Sequence, residues 1–285
     1  MKKKILNIII LVMIISGCSS GVREIIPQQI QDGDERASRG NTYLGNGYFD
    51  DAGISFMQAY KDYSLADDTG GCAASLTGLG ISLFKQGRED EALLFLEKAE
   101  QYYLSLNRKK DIDEFYTTMT FLFIEKGDIN KAEKYIARVG DLSAKRTLFA
   151  KALILVKQNK AYDALELIRQ KGGDSSSLNN YVVGLAYFQM NKLDQAENYL
   201  FKALKQDQKD GASLKIAGDL ESLYRVSLEK KDIQKAKDYL LRAVKIYSLI
   251  KNRKKLKELV LQLKNLNGGK NTAVDRYFMK LWLAD

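Results

Sequence analysis

The chain has 285 residues, 45% of them apolar and 28% charged, with a single proline; this excludes wholesale disorder and leaves material for a substantial core. It contains no histidine, which removes the commonest general base and the commonest metal ligand together. The formal net charge of +9 is unevenly placed: residues 18–200 carry −4 and residues 201–285 carry +10, so the far end is basic.

The first twenty residues, "MKKKILNIIILVMIISGCSS", read as an export address. Lys2, Lys3 and Lys4 precede an apolar run from Ile5 to Ile15. As a helix that run would be ~16 Å long, short of a ~30 Å hydrocarbon core, so a cleaved signal is favoured over a retained span. "ISGC" at 15–18 resembles the bacterial lipobox, in which a small residue precedes a cysteine that is acylated and becomes the new N-terminus. Residues 1–17 are therefore the expected signal peptide, Cys18 the lipidation site and 18–32 a lipidated linker. The resemblance implies membrane attachment through the lipid, and Ser19 does not match the aspartate that retains such proteins in the inner membrane. In a Gram-negative cell that implies the outer membrane, facing the periplasm. Lipid on Cys18 would leave Cys72 without an intramolecular disulfide partner; with no CxxC spacing or activating charge beside it, it reads as a small packing residue.

From residue 33 onward the chain repeats itself. "GNGYFDDA", "KQGREDEA", "EKGDINKA", "KQNKAYDA", "QMNKLDQA" and "EKKDIQKA" end at Ala52, Ala92, Ala132, Ala164, Ala196 and Ala236. Twelve residues before each alanine stand Gly40, Gly80, Thr120, Ala152, Gly184 and Tyr224, small in all but the last. Five before stand Gly47, Gly87, Gly127, Asn159, Asn191 and Lys231, mostly the residue types that close a helix in the left-handed conformation. Four after come Phe56, Leu96, Ile136, Ile168, Leu200 and Leu240, large and apolar. These offsets predict two helices joined by a tight turn, with small residues where the axes approach. The copies are 40, 40, 32, 32 and 40 residues apart, and the longer spacings predict second helices about two turns longer. Beyond the sixth copy, 254–269 reads as a further first helix and 271–285 as a last one, with an apolar stripe of Val274, Tyr277, Phe278, Leu281 and Trp282.

This pattern resembles the tetratricopeptide repeat over roughly residues 33–250, although the spacing departs from ~34 and no proline closes a repeat. The expected fold is all-α: a solenoid of about six helix pairs across 33–250, with residues 251–285 as capping helices. The resemblance implies that the first helix of each pair lines a concave face. It places Ile81, Phe84, Phe121, Ile124 and Phe149 there, followed by Leu153, Val156, Tyr181, Leu185 and Phe188. Two readings of that apolar wall stay open: a groove for a partner's apolar helix or extended segment, or side chains that meet one another or a chain terminus, such as the last helix, in a tight superhelix. A second candidate is the basic run Lys251, Arg253, Lys254, Lys255 and Lys257, either a solvated helix face or a contact for anionic groups.

No G-x-S-x-G, Walker loop, HExxH or metal-spaced cysteine pair is present, and acidic pairs such as Asp50–Asp51 and Asp90–Glu91 stand at helix starts, where they suit the dipole. The expectation is a non-enzymatic chain with no cofactor. It would be an envelope adaptor that binds proteins or peptides but not nucleic acid; the alternative is a lipid- or small-ligand-carrying component of an envelope transport system. Nothing in the sequence sets an oligomeric state.

Overall fold

The computed structural model describes residues 26–142, 144–171, 174–250 and 252–266. Residues 1–17, Cys18, Lys251 and the stripe from Val274 to Trp282 lie outside them. Thirteen helices and no strand occur among the described residues. They are α1 (Gln28–Asn46), α2 (Phe49–Leu65), α3 (Thr69–Lys85), α4 (Glu89–Leu106), α5 (Lys109–Lys126), α6 (Ile129–Ile136) and α7 (Lys145–Lys157). They continue as α8 (Ala161–Lys171), α9 (Ser177–Gln189), α10 (Leu193–Lys209), α11 (Ser213–Glu229), α12 (Ile233–Leu249) and α13 (Arg253–Leu266). Six antiparallel pairs stack one on the next, and α13 packs on α12 as the start of a further unit. The chain is an all-α repeat solenoid. None of the described helices is long and apolar enough to cross a membrane.

One corner builds all six pairs. Gly47, Gly87 and Gly127 have φ of 83°, 84° and 88°, and Asn159, Asn191 and Lys231 have φ of 62°, 57° and 61°. In every copy the next residue's N–H donates to the carbonyl five positions back: Tyr48 to Tyr43, Arg88 to Leu83, Asp128 to Phe123, Lys160 to Leu155, Lys192 to Tyr187 and Asp232 to Ser227, all at 2.9–3.0 Å. That bond satisfies an orphan carbonyl at the end of the first helix and aims the chain straight into the second. Asp128 and Asp232 also cap the second helix, accepting from the N–H groups of Lys131 and Lys235. The six alanines that follow are fully buried.

The small-against-large pairing closes each unit. A Cβ on Gly80 would lie 2.6 Å from Leu96 Cγ, and one on Gly184 would lie 2.7 Å from Leu200 Cγ and 3.1 Å from its backbone nitrogen. The large residue of the second helix therefore occupies the space that the small residue of the first vacates. No pair buries its own outer face, so the core continues from pair to pair in two clusters that share Leu185 and Tyr187 on α9. Cys72 lies in a smaller cluster with Ala59 and Tyr63. Burial pushes its thiol above the ordinary range, with Ser64 Oγ 3.4 Å away.

Helix lengths account for the uneven spacing. α2, α4, α10 and α12 have 17, 18, 17 and 17 residues, whereas α6 and α8, which precede the 32-residue steps, have 8 and 11. The chain becomes helical at Gln28, after Pro27, so residues 28–32, expected as linker, form the first turn of α1. Proline lacks an N–H that a helix start leaves unbonded, which favours this boundary.

Two polar features of this frame are testable. Lys231 is a long side chain in a left-handed corner that five other copies fill with glycine or asparagine; Lys231→Gly should raise stability by up to ~1 kcal/mol in urea denaturation. At the α10–α11 junction Asp207 and Asp219 are both 2% exposed, and Lys215 Nζ is 4.0 Å from Asp207. Burial first, and then the Asp207 carboxylate, raise Asp219 to about 8. The folded chain thus holds a proton that the unfolded chain releases above about pH 4, so stability falls as pH climbs toward 8, where the loss becomes complete. The melting temperature should decline across that window in the wild type and decline less in Asp219→Asn.

Candidate interaction surface

The first helices form the inner layer. α1 touches α3, α5 touches α7, α7 touches α9 and α9 touches α11, whereas the second helices meet chiefly the first helices on either side. Helices that contact their own kind lie on the shorter, inner side of a curved stack. The curvature is tight enough for α11 to return onto α1. There the corner glycine of the first pair meets the end of the sixth: a Cβ on Gly47 would lie 2.7 Å from Ile250 Cδ1. The inner face is consequently bounded by first helices from both ends of the stack.

The ten apolar inner positions divide into two groups. Ile124, Phe149, Leu153 and Val156 are buried in the chain's own core. Ile81, Phe84, Phe121, Tyr181, Leu185 and Phe188 are half-buried, leaving part of each ring or branch uncovered. The burial of the middle four has a direct cause: α5, α7 and α9 approach closely, and Thr117 and Thr147 share a 2.9 Å hydrogen bond between α5 and α7. Phe84 packs edge-on against Phe123, with centroids 5.8 Å apart.

Charge frames this apolar wall. The Arg146 guanidinium lies 5.3 Å from the Phe121 ring centroid, pairs with Glu114 and donates to Thr118; burial lowers its pKa. Toward one edge Glu221, 7% exposed, accepts from the Tyr247 hydroxyl at 2.5 Å and from Lys255 Nζ at 2.9 Å. Burial, followed by Glu221, pushes the Tyr247 hydroxyl well above its ordinary range. The pKa of Lys157, from α7, is lowered by burial and then by the nearby Arg225 and Lys255. Lys255, expected in a basic run, is thus committed to Glu221 and to Glu258, 3.6 Å away. Lys257 is exposed, and Arg253 and Lys254 lie in the first turn of α13.

Sequence reasoning did not anticipate Lys157, Arg146 or the Glu221–Tyr247–Lys255 network. Their positions are unremarkable within a copy: Arg146 and the Glu221 network join neighbouring helices, and Lys157 nears Arg225 and Lys255 because the stack curves. Among the described residues no group of three His, Cys, Asp or Glu side chains could hold a metal.

Residues 125–203 match the family model described as anaphase-promoting complex, cyclosome, subunit 3, which covers the middle copies and less than half the chain. Among solved structures, the chain is similar to the Cut9–Hcn1 hetero-tetramer of the APC/C, with 17% identity and a TM-score of 0.51 over 80% of this chain and 43% of that one. This likeness concerns the fold, and the chain spans less than half the length of that relative. A tetratricopeptide repeat protein from Parabacteroides merdae also matches, at 16% identity and a TM-score of 0.45, over 89% of this chain and 99% of that one. No curated protein sequence matches the chain. The geometry and the comparisons agree on a solenoid of tetratricopeptide-like helix pairs, a fold that commonly serves as a protein-interaction scaffold.

Proposed function

We propose that this chain is a lipid-anchored adaptor of the cell envelope, which binds partner proteins or peptides through the half-exposed apolar side chains of its inner face. The observation that carries the reading is the wall of Ile81, Phe84, Phe121, Tyr181, Leu185 and Phe188, contributed by three different helices and left partly uncovered in an otherwise well-packed stack. Large apolar side chains in that state favour a partner that completes their burial. The role is non-enzymatic: binding, with the partner's chemistry left to the partner.

The envelope assignment rests on the basic and apolar leader and on "ISGC", with Cys18 as the acylated residue and the outer membrane as the destination in a Gram-negative cell. With helix starting at Gln28, about nine residues separate the lipid from the solenoid, a tether of ~30 Å at most, so the first pair would stay near the bilayer.

Each half of the proposal has its own test. Crosslinking pull-down from native membranes should recover specific envelope proteins with the wild type and lose them with a folded Phe121→Glu, Phe188→Glu variant; unchanged capture would remove the inner face as the binding surface. Radiolabelled palmitate should mark the wild type and not Cys18→Ser, and persistent label on the variant would refute the anchor.

A further inference from the structure

The outer layer of second helices is interrupted by short members, and the interruption leaves a cleft. Aligned on Ala164 and Ala196, the last residue of α8, Lys171, is level with Ala203 of α10, so the final turns of α10 run on past the end of its neighbour. Between α8, the start of α9 and these turns lies a cavity of about 860 Å³. Ile168, Val183 and Tyr187 supply an apolar floor, and Phe201, 43% exposed, stands at the rim.

Three observations describe what this cleft lacks. The first is negative charge. Lys202, Lys205 and Lys209 stand at i, i+3 and i+7 along one face of α10, and none is in an ion pair among the described residues. Lys202 and Lys205 rest instead over the rings of Tyr199 and Phe201, at 4.9 and 5.3 Å from the centroids. The remaining charges of the lining are already matched, Arg169 by Glu166 at 2.7 Å and Asp174 by Lys145 at 3.1 Å.

The second is a hydrogen-bond donor. Asn179 is 7% exposed and lines the cleft; its amide nitrogen donates to the Asp174 carbonyl, while its Oδ1 has no partner. A buried acceptor left unpaired is costly, and because Asn179 Oδ1 itself is covered, a ligand N–H satisfies it once the side-chain amide turns toward the cleft. The third is apolar cover for Phe201.

We propose that this cleft docks an extended acidic segment of a partner protein. Its carboxylates would pair with Lys202, Lys205 and Lys209, one backbone N–H would donate to Asn179 Oδ1, and an apolar side chain would lie against Phe201 and Tyr187. From Lys202 to Lys209 the helix rises ~10 Å, the length of about three extended residues, so two acidic side chains at alternate positions, ~7 Å apart, fit within reach of the three lysines. A free phosphate or a sheet of lipid headgroups satisfies the lysines but brings no apolar side chain into the cleft against Phe201 and Tyr187. A peptide supplies both. This surface lies on the outer layer, apart from the inner face proposed for the adaptor role, and stands independently of it.

The test is selection of a phage-displayed library of random linear peptides on the full chain, with recovered peptides measured by fluorescence anisotropy. Recovered sequences should be rich in Asp and Glu around an apolar residue. Their affinity should fall about tenfold or more in a Lys202→Glu, Lys205→Glu, Lys209→Glu variant, whose changes are all at exposed positions. It should weaken in Asn179→Ala and remain unchanged in Phe121→Glu. Peptides without acidic enrichment, affinity indifferent to the charge reversal, or affinity lost in Phe121→Glu would each overturn the proposal. So would binding to phosphatidylglycerol vesicles that the triple variant abolishes, in the absence of any recovered peptide.

Discussion

The structure depends on a residue held in the left-handed region at the end of each first helix. From it follow the hydrogen bond to the carbonyl five residues back, the immediate start of the second helix and the burial of an alanine against the first. An alanine there has only a methyl group, too small to separate the two axes, so a larger residue one turn later can fill the space opposite a glycine, as Leu96 does beside Gly80. Six such units leave apolar faces that only a neighbour covers, and the neighbour is the next copy. Stability in this chain is therefore a property of the stack, shared between adjacent units.

Curvature turns the stack into a surface. Because the first helices crowd together on the inside, side chains of separate copies come within reach of one another, Lys157 with Arg225 and Lys255, while Glu221 holds Tyr247 of its own pair and Lys255 of the next unit. The same crowding buries Ile124, Phe149, Leu153 and Val156 and leaves six flanking apolar residues half covered. On the outside, second helices of different length create relief, and the step between α8 and α10 places three unpaired lysines beside an exposed Phe201 and an unpaired Asn179 oxygen. One rule of construction with variable helix length thus yields an inner apolar wall and an outer basic cleft.

Much of this was legible in the sequence, for a physical reason. Corner, alanine and apolar position are local requirements that recur at fixed offsets, so Gly47, Asn159 and even Lys231 could be assigned their backbone state from position alone. The two spacing classes likewise announced two lengths of second helix. What periodicity does not encode is distance between copies. The closure of α11 onto α1 and the approach of Lys157 to Arg225 and Lys255 depend on accumulated curvature, whereas the capture of Lys255 by Glu221 and the cleft beside α8 depend on particular residues of neighbouring units that no offset relates. The boundary of α1 was displaced for a simpler reason: Gln28 to Asp32 carry no repeat signal, yet follow the proline that a helix start accommodates.

The central claim is that the superhelix closes, so that the sixth pair rests on the first. The most direct measurement is the distance between spin labels on Asn46 and Lys245, in a chain whose cysteines are replaced by serine, by pulsed electron paramagnetic resonance. Closure predicts a single narrow distribution at the short end of the accessible range, broadened and lengthened by Ile250→Asp. A long or broad distribution in the otherwise unmodified chain would mean an open solenoid, and would contradict the account of the inner face built on closure.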